Sequence, residues 1–203
     1  MPRVLTVIGF AGSLLWGSWA QAEDCGSLTN AFGPYDYTHP KDKIEKLPIV
    51  ERFHFSEKIE QLKGHQHSVA GDLDYTLRAF PNHHRALIAM TNLQLSYPPG
   101  SKAPFRSIRC YFERALRFKP EDVNVHMLFG SYFFRKGDFT EALKRYKNAE
   151  EIDQNFSELQ YNIGLLLVEM KNYSEAKKYA DLAYGSGYPL KGLSNKLKQA
   201  GKW

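Results

Sequence analysis

The sequence predicts an all-α solenoid, a stack of helical hairpins, and three observations predict it. Residues 123–156 and 157–190 repeat one another in register: Gly130 falls on Gly164, Phe139 on Tyr173, Glu141 on Glu175, Ala142 on Ala176 and Ala149 on Ala183. A fixed period of about 34 residues marks architectures in which each unit buries its apolar face only against a neighbouring unit. Apolar residues fall at helical spacing, as Leu190, Leu193 and Leu197 do in the tail. The composition, 43% apolar, 14% aromatic and 24% charged over 203 residues, is that of a folded globular chain and excludes wholesale disorder and collagen-like or mucin-like sequences.

Taken in order, Met1–Ala22 reads as an address. Arg3 is its sole charge, Val4–Trp16 is apolar, and Ala20-Gln21-Ala22 is a small-x-small cleavage signature, so cleavage is expected after Ala22. The apolar run is short for a transmembrane helix of about 20 residues, and no second one follows. The chain is thus expected to be exported and periplasmic, with no integral span after processing. Residues 23–55, punctuated by Gly26, Gly33, Pro34, Pro40 and Pro48, read as an irregular segment that packs on the solenoid through Phe32, Tyr35 and Tyr37. Residues 56–83 read as a divergent repeat, ending in Ala79-Phe80-Pro81-Asn82. Residues 84–122 form a unit whose turn, Tyr97 to Pro104, is lengthened by two adjacent prolines and a glycine that no helix interior accepts. The units at 123–156 and 157–190 follow. In the first, Lys136-Gly137-Asp138 stops the opening helix, with glycine supplying the backbone freedom. Residues 191–203, with Lys191, Lys196 and Lys198 outside the leucines, read as a capping helix.

The pattern Phe129-Gly130, Phe133, Gly137-Asp138-Phe139, Ala142, Tyr146, Ala149 and its copy Ile163-Gly164, Leu167, Asn172-Tyr173, Ala176, Ala180, Ala183 resembles the tetratricopeptide repeat, with His126 and Gln160 where tryptophan often opens the motif. The resemblance implies a right-handed superhelix of helix–turn–helix units whose first helices line a concave groove. It places Arg85, Ile88, Asn92 and Leu95 in that groove. Asn124, Met127, Ser131, Phe134 and Arg135 follow in the next repeat, then Glu158, Tyr161, Leu165, Val168 and Glu169. Such a wall, apolar and aromatic with a few polar anchors, implies a partner protein held by an extended or helical segment. The alternative is that residues 23–55 occupy the groove. Of the family's carboxylate clamp for chaperone tails only Asn92 matches. The stretch Gly71 to Leu87 is similar to a small group of exported repeat proteins of Gram-negative bacteria.

No chemistry-bearing motif appears: no Gly-x-Ser-x-Gly elbow, phosphate loop, Gly-x-Gly-x-x-Gly or His-Glu-x-x-His. The chain is read as a non-enzymatic interaction module or assembly factor for another exported or envelope protein, without a cofactor. A structural subunit of an envelope complex is the alternative. A third reading, an exported metal-binding protein, rests on His65, His67, His83 and His84, which form local pairs without the three or four convergent ligands a transition metal takes. Export favours pairing of Cys25 with Cys110, worth about 4–5 kcal/mol in the chain-entropy model, against two thiols or an intermolecular bond. Cys110 is expected to lean outward from its helix. The 27 basic and 22 acidic side chains leave +5, with residues 23–82 at −3 and 83–203 at +7. A basic half suits nucleic acid or anionic lipid, but these charges alternate along helices and read as solvated faces. No nucleic-acid partner is expected.

Overall fold

The computed structural model describes residues 25–98, 100–102 and 104–203; the leader Met1–Ala22, with its cleavage point, lies outside the described residues. The described residues carry eleven helices and no strand. They are α1 (Pro40–Glu45), α2 (Leu47–His54), α3 (Glu57–Glu60), α4 (Gln66–Ala79), α5 (His84–Leu95), α6 (Ile108–Phe118), α7 (Val123–Arg135), α8 (Phe139–Ile152), α9 (Ser157–Glu169), α10 (Tyr173–Gly185) and α11 (Gly192–Gln199). The described residues form an all-helical solenoid of stacked hairpins.

The α7–α8 and α9–α10 hairpins show what sets the period. Each second helix starts on a side-chain cap, Asp138 accepting from the Glu141 amide and Asn172 from the Glu175 amide. Each first helix ends on one left-handed residue, Gly137 at φ 76° and Lys171 at φ 60°. The amide beyond it then bonds back to the helix, Asp138 to the Phe133 carbonyl at 3.0 Å and Asn172 to that of Leu167 at 2.8 Å. Small residues sit where helices cross: a Cβ added at Gly130 would overlap the Tyr146 ring, and Ala142, Ala149, Ala176 and Ala183 are fully buried. At Gly164 the space is taken by Leu193 of α11, which packs on α9 and α10 as a first helix of a next repeat would. One apolar core runs from Phe55 and Val69 through Phe112 and Phe129 to Leu193 and Leu197.

The preceding half is built differently. Residues 40–54, expected to be irregular, contain α1 and α2; Pro40 and Pro48 stand at their first turns, where a missing N–H costs nothing. The opening helix of the 56–83 unit is the single turn α3, because Leu62 (φ 57°) and Gly64 (φ 136°) turn the chain out of the helical region before α4. The long turn before α6 is pinned by Gln94, whose side chain donates to the Arg106 carbonyl at 2.8 Å and accepts from the Ile108 amide at 2.6 Å. Cys110 is 1% exposed, not outward in solvent, because residues 25–27 lie over it and Cys25 is disulfide-bonded to it. The neighbouring Arg114 guanidinium donates to the Cys25, Gly26 and Ser27 carbonyls. A second small core, Leu47, Val50, Ala79 and Phe80 with Phe32, Tyr35 and Tyr37, closes the segment onto α2 and α4.

Candidate functional site

Ile88 and Thr91 of α5, Phe112 of α6, and Leu128, Ser131, Tyr132 and Arg135 of α7 line an open cleft of about 190 Å³. It exists because the first helices α5 and α7 run side by side while α6 supports them from behind. Its floor is rigid and aromatic: the Phe112 and Phe129 rings stack at 4.7 Å, and Tyr132 lies against both. The Thr91 and Ser131 hydroxyls are already used. Thr91 Oγ1 donates to the Leu87 carbonyl at 2.7 Å, and Ser131 Oγ lies 3.1 Å from both the Met127 carbonyl oxygen and Tyr146 Oη. The cleft therefore offers mostly hydrocarbon, and Ile88 remains 43% exposed. At its rim Arg135 Nη1 donates to Asn92 Oδ1 at 2.6 Å. Among the described residues no carboxylate lies within 4.0 Å of the Arg135 guanidinium.

Of the residues placed in a groove by resemblance, Ile88, Ser131 and Arg135 meet here, with Asn92 at the rim. Others go elsewhere. Met127 and Tyr161 are 3% and 7% exposed, belong to the apolar core and do not line the cleft. Tyr161 lies against the Tyr188 ring at 4.6 Å and under Gly192. Phe134 turns along its own hairpin onto Phe139, 5.9 Å away. Arg85 is bound by Glu60 and Glu51 of the preceding helices. Glu169 pairs with Lys196 of α11 at 2.8 Å. Leu165 and Val168 are half-buried against the core, as are Leu95 and Asn124 in their own helices, and Glu158 is exposed. Thr91, Phe112, Leu128 and Tyr132 went unread in the sequence. The available signal was the insertion. It sets the caps His83 and Asp122 further apart along the chain than Asp122 and Phe156, the caps of the next pair of first helices.

The polar clusters elsewhere close on themselves. His83 Nδ1 accepts from the Ala86 amide at 3.1 Å, so its Nε2 carries the proton toward Glu51, 3.2 Å away. Burial pushes the pKa of His83 below its ordinary value against the pull of Glu51. His84 Nε2 lies 2.9 Å from Asp122, which also accepts from Asn82 Nδ2 at 2.9 Å and from the Val125 amide at 3.2 Å. Burial raises the Asp122 pKa, but the His84 and Asn82 bonds outweigh it and lower it overall. Asp36 behaves the same way: burial raises it, and Lys119, Asn82 and Thr38 hold it well below the carboxylate range. Asp74 accepts from Tyr111 Oη at 2.6 Å, Arg78 Nε at 2.8 Å and Arg106 Nη1 at 3.1 Å. His65 and His67 are exposed at the start of α4. Cys25, Cys110 and Glu113 bring three donor atoms within 4.8 Å, but both sulfurs belong to the disulfide and are not thiolates. No described helix is long and apolar enough to cross a membrane.

A TPR repeat model matches residues 130–171. The Hsp70-Hsp90 organising protein of Plasmodium falciparum (isolate 3D7) is 35% identical over 74 residues, which cover 36% of this chain and 13% of that protein.

Proposed function

We propose that the chain is a non-catalytic module that holds an extended or helical segment of a partner protein across the cleft between α5 and α7. One large apolar side chain of the partner seats against Ile88, Leu128 and Tyr132, and a hydrogen-bond acceptor of the same segment takes the outward donors of Arg135. The observation that carries this reading is the cleft itself. It is an open, mostly apolar depression with a preformed aromatic floor, and the cation at its rim has no carboxylate partner among the described residues. Anchors of that kind dominate recognition of short segments. The TPR match supports a protein as the partner class.

We place this activity outside the cytoplasm, with another exported or envelope protein as partner. Support comes from the leader pattern at Met1–Ala22 and from the Cys25–Cys110 bond, since disulfides persist in oxidising compartments. The Hsp70 and Hsp90 of the relative's name are not carried over, because the groove holds only Asn92 of the clamp residues.

The test is photo-crosslinking from a probe at Asn92, on the rim of the cleft, in the parent and in the control Ile88→Glu/Leu128→Glu. Both side chains are partly exposed, so the double variant should keep its melting temperature. One protein captured by the parent and reduced about thirtyfold in the variant is the expected result, given the cost of burying two carboxylates against apolar groups. Equal capture by both removes the cleft from the interface.

A further inference from the structure

The segment from Lys171 to Trp203 holds seven lysines, no arginine and two carboxylates, Glu175 and Asp181, a balance of +5. That equals the formal charge of the whole chain, since Met1 to Met170 carries 20 basic and 20 acidic side chains. The charge that looked spread along helix faces is thus concentrated at one end of the solenoid.

Five of the seven, Lys171, Lys177, Lys191, Lys198 and Lys202, form a strip beside Trp203 and Tyr184, while Lys178 pairs with Glu175 and Lys196 with Glu169. Lys171, Lys177 and Lys202 share the wall of a concavity of about 490 Å³ with Tyr173 and Ser174. Lys177 and Lys198 hold their ammonium groups 4.9 and 5.8 Å from the centre of the Trp203 ring. Trp203 meets Tyr184 edge to face at 5.8 Å, and Lys191 lies 5.6 Å from the Tyr184 ring. Tyr184 Oη donates to the carbonyl of Leu190, whose side chain is 54% exposed, and Trp203 is 47% exposed. Asp181 pairs with Lys177 at 2.6 Å. Among the described residues no carboxylate lies within 4.0 Å of Lys171, Lys191, Lys198 or Lys202.

We propose that this strip is a peripheral docking surface for an anionic phospholipid bilayer. Two features choose that occupant over an acidic protein. The cations are all lysine, compact point charges that match a diffuse anionic plane, whereas arginine, which pairs in a fixed fork with individual carboxylates, is missing from the strip. They also flank an exposed tryptophan and a tyrosine, the amphipathic side chains that settle at the level of lipid headgroups, with the apolar Leu190 beside them. The strip lies beyond α9, apart from the α5–α7 cleft, so this inference does not depend on the proposed partner.

The full chain and Lys171→Gln/Lys191→Gln/Lys198→Gln/Lys202→Gln are to be sedimented with vesicles of phosphatidylcholine, and of phosphatidylcholine mixed with phosphatidylglycerol. Both proteins carry residues 1–24, so any contribution from them is common to the two. The chain should bind the anionic vesicles and lose that binding in high salt. Each removed lysine is expected to cost about fivefold, so the quadruple variant falls by about six hundredfold. All four are exposed, and the variant should melt as the parent does. Equal binding to both vesicle types, or undiminished binding by the quadruple variant, overturns the proposal. So does binding that survives Trp203→Ala in full, since a purely electrostatic contact needs no interfacial ring. Retention on immobilised polyglutamate without vesicle binding overturns it in favour of an acidic protein partner.

Discussion

The two halves of this solenoid reach the same architecture by different physics. From Val123 onward, helices meet through glycine, alanine and interleaved aromatic rings, and the polar groups are largely helix caps and exposed pairs of one turn's separation. Before Val123 the helices are shorter and their junctions carry buried polar groups: Asp74, Asn82, His83, Arg114 and Asp122 are each 5% exposed or less. Most of their bonds join residues distant in sequence, Asn82 to Asp36 and Asp122, Arg114 to residues 25–27, and Cys25 to Cys110 across 85 positions. The difference teaches that a regular repeat stacks chiefly by apolar fit. A half whose hairpins are broken by an insertion and a shortened helix needs an added segment, tied by charge and by a covalent bond, to close its surface.

The sharpest way to break the comparison is Ala142→Asp. Ala142 is fully buried at a helix crossing. A carboxylate there is expected to cost about 4 kcal/mol or more and to unfold the regular half, read by urea denaturation. A loss below about 1 kcal/mol would show that apolar fit at the crossing is not what holds the repeats.

The disulfide tests the other half. Cys25→Ala/Cys110→Ala is expected to cost about 4 kcal/mol, and reductant should shift the parent by a similar amount while leaving the variant unchanged. Hydrogen exchange should rise over residues 25–39 and stay level in α8 to α10. A uniform rise would mean that the halves do not differ in their support.

The smallest expected effect is a pH dependence that belongs to the first half. A histidine whose folded-state pKa lies below its ordinary 6.5 binds a proton more readily when unfolded. The stabilisation from His83 is therefore complete above pH 6.5 and is lost as pH falls toward the folded value. Protonation would also remove the acceptor that caps α5 at the Ala86 amide. Glu51, Arg85, His84 and Tyr37 face the same ring, and Glu51 titrates below this window because its bond to His83 lowers its pKa from 4.5. Lowering pH below about 6.5 should cost at most about 1.4 kcal/mol per pH unit, and His83→Asn, which keeps a capping oxygen, should flatten that slope. An equal slope in both proteins assigns the effect to other groups.

The sequence by itself determined the regular half. Gly130 on Gly164 and Ala142 on Ala176 are legible because each meets a neighbour at fixed separation, so identity at one constant period encodes contact in space. The charge count from Lys171 to Trp203 was equally readable, though not the convergence of those lysines on the terminal ring. Tertiary structure alone decided the cleft. Whether Met127 or Leu128 faces outward is a matter of one residue's rotation about α7, set by where α5 and α9 lie, and the insertion between α5 and α6 removes the period that would have fixed it. It also decided the first half, where Arg114, Asn82 and Asp36 hold their positions through partners tens of residues away that no local pattern announces.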